Sequence, residues 1–313
     1  MASGRERVEA ALRLEVADRP PVSAWGHDYD QEWEIDSLVA ATVAKARRFG
    51  FDFVKLQIRA TCFAEAFGAR WRYSGSPVAE PVMESAGGAG GDFDPAPLRD
   101  QVEALRRVVR ELGPEVPVLQ TVFSPGMVAW FLAGRDLAEL ARQATPEWLA
   151  EIARALAWFT TESLEAGAAG VFYAINPLAG VQVVEPAEYE RLYLPADRVA
   201  VAAAAGGWFN MLHLCGPHIN TRLVDQLRMQ CVNWSIHDAG NPGLAELRGR
   251  HHVAVAGGIQ RDAPIKQAPD EMRGAVRAAL DATRGRGHLL TPGCSTSPWR
   301  EVQPPTLEVM LGS

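Results

Sequence analysis

Cysteine is scarce in this sequence, which has four in 313 residues, at Cys62, Cys215, Cys231 and Cys294. So few cysteines in a chain of this length exclude the disulfide scaffold of a small secreted domain. Long apolar runs are also missing, and no stretch reaches the roughly 18 residues of a membrane span. The opening residues are charged from position 5 onward and have no apolar signal core. We therefore expect a cytoplasmic protein with reduced thiols and no membrane partner.

An excess of positive charge is absent as well. Lys and Arg number 31 against 38 Asp and Glu, so the net charge is −7, and such a chain is a poor general binder of nucleic acid. No G-x-G-x-x-G follows a predicted strand and no G-x-x-x-x-G-K-[ST] occurs, which argues against a glycine-rich phosphate cradle. The stretch SAGGAGGDFDP (85–95) is therefore interpreted as a flexible linker.

Short apolar runs alternate along the chain with longer helical patterns. Most runs are continuously apolar, as expected for parallel strands that are covered on both faces. The eight predicted strands are 20–25, 51–57, 116–123, 170–175, 208–215, 231–236, 253–259 and 288–293. The clearest helix is 146–167, in which apolar residues at helical spacing predict a core-facing stripe.

This alternation predicts an α/β fold. Eight strands with intervening helices favour one (β/α)8 TIM barrel that spans residues 1–313, with an N-terminal helix (4–14) capping the bottom of the barrel. An open doubly wound sheet is the alternative. In a barrel of this kind the active site lies at the carboxyl ends of the strands, so the polar residues at those ends are the candidates for function.

His213 and Cys215 carry the strongest chemical signal. They lie two apart on the fifth predicted strand and therefore point to the same face, while Cys294 ends the eighth strand in TPGC. Two thiolates and one imidazole suit Zn²⁺, and three protein ligands leave a fourth position open, as in catalytic zinc sites. The alternative is that His213 is a hydrogen-bonded core histidine and both cysteines are inert.

The chain resembles the uroporphyrinogen decarboxylase superfamily over nearly its whole length. The segments RERVEAALRLEVADRPPV, FGFDFVKLQ, LHLCGP, VAGGI and LLTPGCSTSP follow the order and spacing of that family. The resemblance implies a (β/α)8 barrel and two branches of activity. One branch decarboxylates uroporphyrinogen, and the other comprises zinc methyltransferases that move a methyl group from a corrinoid protein to a thiol such as coenzyme M.

Three departures separate this sequence from the decarboxylase branch. The stretch 23–33 has no arginine where the decarboxylases carry an arginine-rich loop, and 54–61 has no carboxylate where they use an aspartate. Gly293-Cys294-Ser295 replaces their G-H-G motif. The methyltransferases instead carry H-x-C followed by a distant cysteine, and His213, Cys215 and Cys294 match that pattern.

The resemblance thus implies zinc-dependent activation of a thiol or thioether sulfur, with methyl transfer to or from a corrinoid or another methyl donor. Methylcobalamin is then expected on a separate partner protein, and the enzyme is expected to be a monomer or a homodimer. Two alternatives stay open. One is a uroporphyrinogen decarboxylase, and the other is a non-catalytic module that binds a corrinoid or tetrapyrrole.

Other polar residues at the strand ends are candidates for supporting roles. His237 and Asp238 are the candidate catalytic residues, and together with His27 they are candidates for the fourth metal position. Arg59 is expected to hold an anionic substrate group or, alternatively, to form a surface ion pair. The candidate substrate-binding residues are His27, Asp28, Gln57, Arg59 and Asn176.

Overall fold

The computed structural model of the chain describes residues 2–312, in which strands and helices alternate. The strands are β1 (Val54–Lys55), β2 (Arg70–Arg72), β3 (Val82–Ser85), β4 (Val118–Phe123), β5 (Gly170–Ile175), β6 (Met211–Leu214), β7 (Cys231–Asn233), β8 (Ala254–Ile259) and β9 (His288–Pro292).

Fourteen α-helices lie between and around these strands within residues 2–312. They are α1 (Gly4–Leu12), α2 (Ile35–Phe49), α3 (Cys62–Glu65), α4 (Ala96–Leu112), α5 (Pro125–Leu132), α6 (Leu137–Gln143), α7 (Pro146–Glu165), α8 (Pro186–Leu192), α9 (Leu194–Ala202), α10 (Arg222–Leu227), α11 (Leu244–His251), α12 (Ala263–Lys266), α13 (Pro269–Thr283) and α14 (Pro304–Leu311). Two short 3₁₀ helices are Ala203–Gly206 and Trp299–Glu301. None of the helices in this part of the chain has the length and hydropathy needed to cross a bilayer.

Seven strands form one parallel sheet in the order β1-β4-β5-β6-β7-β8-β9. Each neighbour in this order is also the next sheet strand along the chain, so the sheet is built from successive strand–helix–strand units. These seven strands lie within seven of the eight predicted runs, so the α/β class and the parallel sheet are confirmed. The sheet curls, and its residues are buried on both faces.

The first predicted strand, 20–25, is present only as a single parallel bridge between Val22 and Leu290 of β9. On its other side the Val22 carbonyl accepts a hydrogen bond from the backbone N–H of Asp52. Pro20 and Pro21 have no N–H to donate to a ladder, which explains why no longer pairing forms here. The segment 20–25, which would complete an eight-stranded barrel, therefore contributes one bridged residue, and the structure shows a curled seven-stranded sheet.

Helix α7 illustrates how local sequence sets the elements. The side chain of Thr145 accepts a hydrogen bond from the N–H of Trp148, which caps the helix, and Pro146 occupies its first turn. The predicted apolar stripe of this helix is buried, as expected for a core-facing surface, and consists of Trp148, Ile152, Leu156 and Phe159.

Helix α1 lies against the segments that lead into the strands, as predicted for a helix that caps the bottom of the sheet. The N–H of Arg5 donates to the carbonyl of Glu115, just before β4, and the Arg7 guanidinium pairs with Asp52, just before β1. The opposite, carboxyl-terminal edge of the sheet is therefore left free for the loops that carry polar residues.

The segment between β1 and β4 contains structure that the sequence did not indicate. Strands β2 and β3 form an antiparallel hairpin, and Trp71 of β2 packs its ring 5.9 Å from the ring of Phe131. In the following glycine-rich stretch, a Cβ on Gly91 would lie 2.3 Å from the carbonyl oxygen of Phe67. At least this glycine therefore allows close backbone packing, which a freely flexible linker would not require.

Candidate metal centre and active-site cavity

The three predicted metal ligands come together at the carboxyl-terminal edge of the sheet. The ligand atoms of His213, Cys215 and Cys294 all lie within 4.8 Å of one another. His213 is the third residue of β6, Cys215 follows the end of that strand, and Cys294 lies two residues beyond β9. The parity argument from the sequence thus places His213 and Cys215 on the same side, next to a cysteine from a distant strand.

The separations between the Cys294 sulfur and the other two ligand atoms fit a tetrahedral zinc ion. The two sulfur atoms are 3.8 Å apart, and the Cys294 sulfur is 3.7 Å from Nε2 of His213. With Zn–S bonds of about 2.3 Å and Zn–N bonds of about 2.0 Å, tetrahedral geometry separates such ligand atoms by about 3.5–3.8 Å. The sulfurs are too far apart for a disulfide, whose bond length is about 2.05 Å. The residues present therefore fit the ion in their chemistry, and the two separations that involve Cys294 also fit its tetrahedral spacing.

Asn233 determines which nitrogen of His213 faces the sulfurs. The Asn233 side-chain nitrogen donates to the carbonyls of Ala256 and Pro292, each at 3.1 Å, so its oxygen is the atom that meets the imidazole. Nδ1 of His213 donates to that oxygen at 2.7 Å. The lone pair of Nε2 is therefore left toward the sulfurs, which is the arrangement of a metal-binding histidine held by an outer hydrogen bond.

Two glycines shape the ligand loops. Gly216, directly after Cys215, has a φ of +96°, a left-handed conformation that turns the chain away from the end of β6. Gly293 precedes Cys294, and a Cβ there would lie 2.5 Å from the Cα of Ser235. Only glycine lets β9 approach the segment after β7 this closely, and that approach sets the position of Cys294.

The two ligand thiols have different pKa values. The hydrogen bond between their sulfurs lowers the pKa of Cys294 well below its usual value and raises that of Cys215. Cys294 is therefore the thiolate of the pair. The other two cysteines, Cys62 and Cys231, are fully buried, and burial raises the pKa of each thiol far above the neutral range. These two thiols are therefore buried core residues that stay protonated.

A cavity of about 480 Å³ opens onto this group and is lined by both His213 and Cys294. One wall is apolar and aromatic and includes Trp71, Phe123, Met127, Phe131 and Phe172. The lining also contains a set of polar side chains, namely His27, Glu32, Lys55, Gln57 and Asn176. A mostly apolar cavity with a few convergent polar groups is the usual form of a small-molecule site.

Three of the predicted substrate-binding residues line this cavity: His27, Gln57 and Asn176. Asp28 and Arg59 are not among its lining residues. Asp28 pairs with Lys45 at 2.5 Å, and Arg59 forms a two-pronged ion pair with Glu65. For Arg59 the structure thus matches the ion-pair alternative, although the pair is largely buried rather than on the surface.

The predicted catalytic pair, His237 and Asp238, lies beside the cavity lining. The ring of His237 hydrogen-bonds the carbonyl of Gly258 through Nε2, and Asp238 accepts a hydrogen bond from Ser235. Neither side chain belongs to the three-ligand group or to the lining of the cavity. Their catalytic role stays a prediction.

Three residues of the site were not predicted from the sequence: Glu32, Lys55 and Asn233. Lys55 lies two positions before Gln57 and shares its strand face, so the same parity rule that found His213 and Cys215 would have found it. Asn233 is a polar residue inside an apolar strand, in register with His213 on the neighbouring strand. Glu32 lies in the 23–33 loop, where only the lack of arginine was considered.

Solved structures similar to this chain share its fold. A methyltransferase from Methanosarcina mazei matches with a TM-score of 0.82 and 17% identity, covering 100% of this chain and 98% of the other. B12-independent methionine synthases from Shewanella sp. W3-18-1 and Listeria monocytogenes match with TM-scores of 0.57 and 0.55 at 15% identity, each covering 89% of this chain and 86% of the other.

Sequence comparison gives the family. No curated protein sequence matches the chain. The profile of the uroporphyrinogen decarboxylase (URO-D) family, however, matches residues 34–311, which include every sheet strand and all three residues of the candidate metal group. The chain belongs to the uroporphyrinogen decarboxylase family.

Proposed function

We propose that this protein is a zinc-dependent methyltransferase-like enzyme that activates a thiol or thioether sulfur. The observation that carries the proposal is the convergence of His213, Cys215 and Cys294 beside a cavity, with ligand atoms within 4.8 Å of one another. A structural zinc site has four protein ligands, whereas three ligands beside a cavity leave room for a substrate atom.

Nε2 of His213 and the sulfurs of Cys215 and Cys294 would hold the ion. Bound there, Zn²⁺ would stabilise the thiolate form of a substrate sulfur at neutral pH and so make it a nucleophile. The soft donor set favours zinc over magnesium or calcium, which prefer oxygen ligands.

The residues of the chain supply orientation and the exclusion of water. Asn233 fixes the imidazole of His213, whose ring also stacks on Phe172 at 5.1 Å. The aromatic wall around Phe123 and Phe131 gives a methyl group an apolar environment and keeps water from the reacting sulfur. His27, Gln57 and Asn176 are proposed to bind polar groups of the substrate.

The names of the structurally similar proteins support the methyl-transfer part of the proposal. The similar structures bear the names of a methyltransferase and of B12-independent methionine synthases, one of them in complex with selenomethionine. For this chain we propose a small-molecule thiol or thioether as substrate. We further propose that the methyl group is carried by a corrinoid such as methylcobalamin on a separate cytoplasmic protein.

A methyl-transfer assay tests this function. The zinc-loaded enzyme is incubated with methylcobalamin and a panel of small thiols, and thioether products are measured by mass spectrometry. We expect a methylated thiol with the wild type, none with Cys294→Ala, and product with the matched control Cys231→Ala. If a protein with bound zinc methylates no thiol of the panel, the methyl-transfer proposal is wrong.

The family name itself favours a second candidate, a uroporphyrinogen decarboxylase. That substrate carries many carboxylates, yet basic side chains do not outnumber acidic ones in the cavity lining. The acidic residues are Glu32, Glu80, Asp262 and Glu301, and the basic residues are Lys55, Arg135, Arg261 and Lys266. Incubation with uroporphyrinogen decides this case, because formation of coproporphyrinogen would establish decarboxylation.

A non-catalytic binding module would give a different result. Such a module would bind a corrinoid or tetrapyrrole pigment without turnover, and the Cys294→Ala variant would bind that pigment equally well.

A further inference from the structure

Lys55 is a buried lysine that faces the cavity and has no ion-pair partner among the described residues 2–312. Its residue surface is 5% exposed. Its Nζ donates to Oε1 of Gln57 at 2.5 Å and lies 5.0 Å from the centroid of the Phe172 ring. Lysines are rarely buried without a carboxylate partner, because removing the charge from water costs free energy.

A chain of hydrogen bonds fixes the side chain that Lys55 contacts. Nδ1 of His27 donates to the buried carboxylate of Glu32 at 2.9 Å, so its Nε2 is an acceptor. The amide nitrogen of Gln57 donates to that Nε2 at 2.8 Å, which leaves the Gln57 oxygen for Lys55. One position on Nζ is thus occupied by the Gln57 oxygen, and the side chain also lines the cavity.

The same cavity connects Lys55 to the metal group. Phe172, which lies under the lysine, stacks on the imidazole of His213 at 5.1 Å. The hydroxyl of Ser295, the residue after Cys294, donates to the same Gln57 oxygen that Lys55 contacts, at 3.4 Å. A substrate whose sulfur reaches Cys294 and His213 therefore lies in the cavity that Lys55 lines.

The charges around Lys55 set its protonation. Burial is the larger effect and lowers the pKa of Lys55 to about 7. The negative charges of Cys294, after β9, and of Glu32, in the 23–33 loop, act in the opposite direction and raise this pKa. The remaining titratable groups nearby are His27, which is paired with Glu32, and His213 on β6. Above neutral pH the side chain is therefore mainly the free amine, which has a lone pair to accept a proton.

We propose that Lys55 takes up the proton that a substrate thiol loses when its sulfur enters the metal group. The step rests on the proposed function and is balanced. The S–H bond breaks and its electron pair stays on sulfur, while the Lys55 amine forms an N–H bond and becomes an ammonium. Zn²⁺, when bound, would hold both cysteines as thiolates that match its two charges, so the charge of a third, substrate thiolate would be uncompensated without the lysine.

Counting protons tests this role without measuring turnover. The zinc-loaded protein is mixed with 2-mercaptoethanol in weakly buffered solution with a pH indicator. Thiol binding is counted separately by the visible spectrum of the cobalt(II)-substituted protein. At about pH 8 the wild type is expected to release almost no proton per thiol bound, because Lys55 takes it up. At about pH 6, where Lys55 is already charged, about one proton per thiol is expected.

Two variants complete the test. Lys55→Met is expected to release about one proton at both pH values, because no amine is present to accept it. Lys266→Met, which changes another cavity-lining lysine, is the matched control and is expected to keep the wild-type pattern. If Lys55→Met does not fold, the two pH values on the wild type still decide the question.

The outcomes separate the two proposals. If the cobalt spectrum reports thiol binding and the wild type releases one proton at both pH values, the role of Lys55 is wrong and the metal-site function stands. If no thiol binds to the loaded protein, the proposed function is wrong and the role of Lys55 is wrong with it.

Discussion

At the scale of single residues, the site depends on partners outside the ligand group. Asn233 is fully buried, and each of its polar atoms is used: the oxygen holds His213, and the nitrogen holds two carbonyls of neighbouring strands. Without this amide the imidazole ring could rotate or present its other nitrogen. The tautomer that suits a metal is thus set by a residue outside the candidate ligand group.

Asn233→Ala is therefore expected to weaken zinc binding by about 10- to 100-fold, the usual effect of losing a partner of a ligating histidine. Asn233→Asp keeps the acceptor for His213 and is expected to retain most of the affinity, although it loses the two carbonyl contacts. Competition with a chromogenic chelator measures the affinity, and urea unfolding measures stability separately. Equal affinity in Asn233→Ala and the wild type would contradict this role.

His288 gives the fold a pH dependence. The ring is fully buried, its Nε2 donates to the carbonyl of Gly257, and burial lowers its pKa from 6.5 to about 4. Between those values the unfolded chain binds a proton that the folded chain does not. The free energy of unfolding should therefore fall as the pH drops from about 6.5 to about 4, by up to about 3 kcal/mol.

His288→Gln removes that titration. The variant is expected to be less stable than the wild type at neutral pH, because the buried hydrogen bonds change, but to lose less stability on acidification. Urea unfolding at several pH values between about 4 and about 7 measures both slopes. Parallel slopes for the two proteins would show that His288 is not the group responsible.

At the scale of elements, helix α1 is held to the bottom of the sheet by charge. The Arg7 guanidinium bridges Asp18 at 2.7 Å and Asp52 at 2.8 Å, and Asp52 also accepts from the N–H of Val22. Arg7 and Asp52 are both buried, so this pairing differs from the exposed pairs on the same helix. The pair of Arg7 and Asp52 thus connects helix α1 to the start of β1 and, through Val22, to the segment that bridges to β9.

Arg7→Met is expected to lower the free energy of unfolding by about 2 kcal/mol. A fully uncompensated buried charge costs about 3–5 kcal/mol, but Arg19 still pairs with Asp52 in the variant. Arg13→Met, which breaks the exposed pair with Glu15, is the matched control and should change stability by less than about 0.5 kcal/mol. Urea unfolding compares them, and equal effects of both changes would refute the buried-pair account.

The strands differ in how well they could be predicted from the sequence. Continuous apolar runs identified the sheet strands, since a strand covered on both faces must be apolar throughout. The hairpin of β2 and β3 was missed because its residues are largely exposed and its order depends on tertiary packing, such as Trp71 against Phe131. The segment 20–25 was given a full strand because its apolar pattern was weighed above the missing N–H groups of Pro20 and Pro21.

At the scale of the whole molecule, distant parts of the chain meet at one edge. His213 and Cys294 are 81 positions apart in sequence, yet strand parity and the rule that sites lie at carboxyl ends placed them together. The roles of Lys55, Glu32 and Asn233 could not be read in the same way, because they depend on which side chains face each other across the cavity. The three candidate ligands could be predicted from sequence patterns, whereas the side chains around them are known only from the structure.

Metal content is the measurement that tests the site most directly. Elemental analysis of the protein purified without chelators is expected to find about one zinc per chain in the wild type and in the matched control Cys231→Ala. Cys215→Ala and Cys294→Ala are expected to lose the ion, because two ligands cannot hold it tightly. Absence of zinc from the wild type, or retention of zinc in both ligand variants, would contradict the assignment of His213, Cys215 and Cys294 as a metal centre.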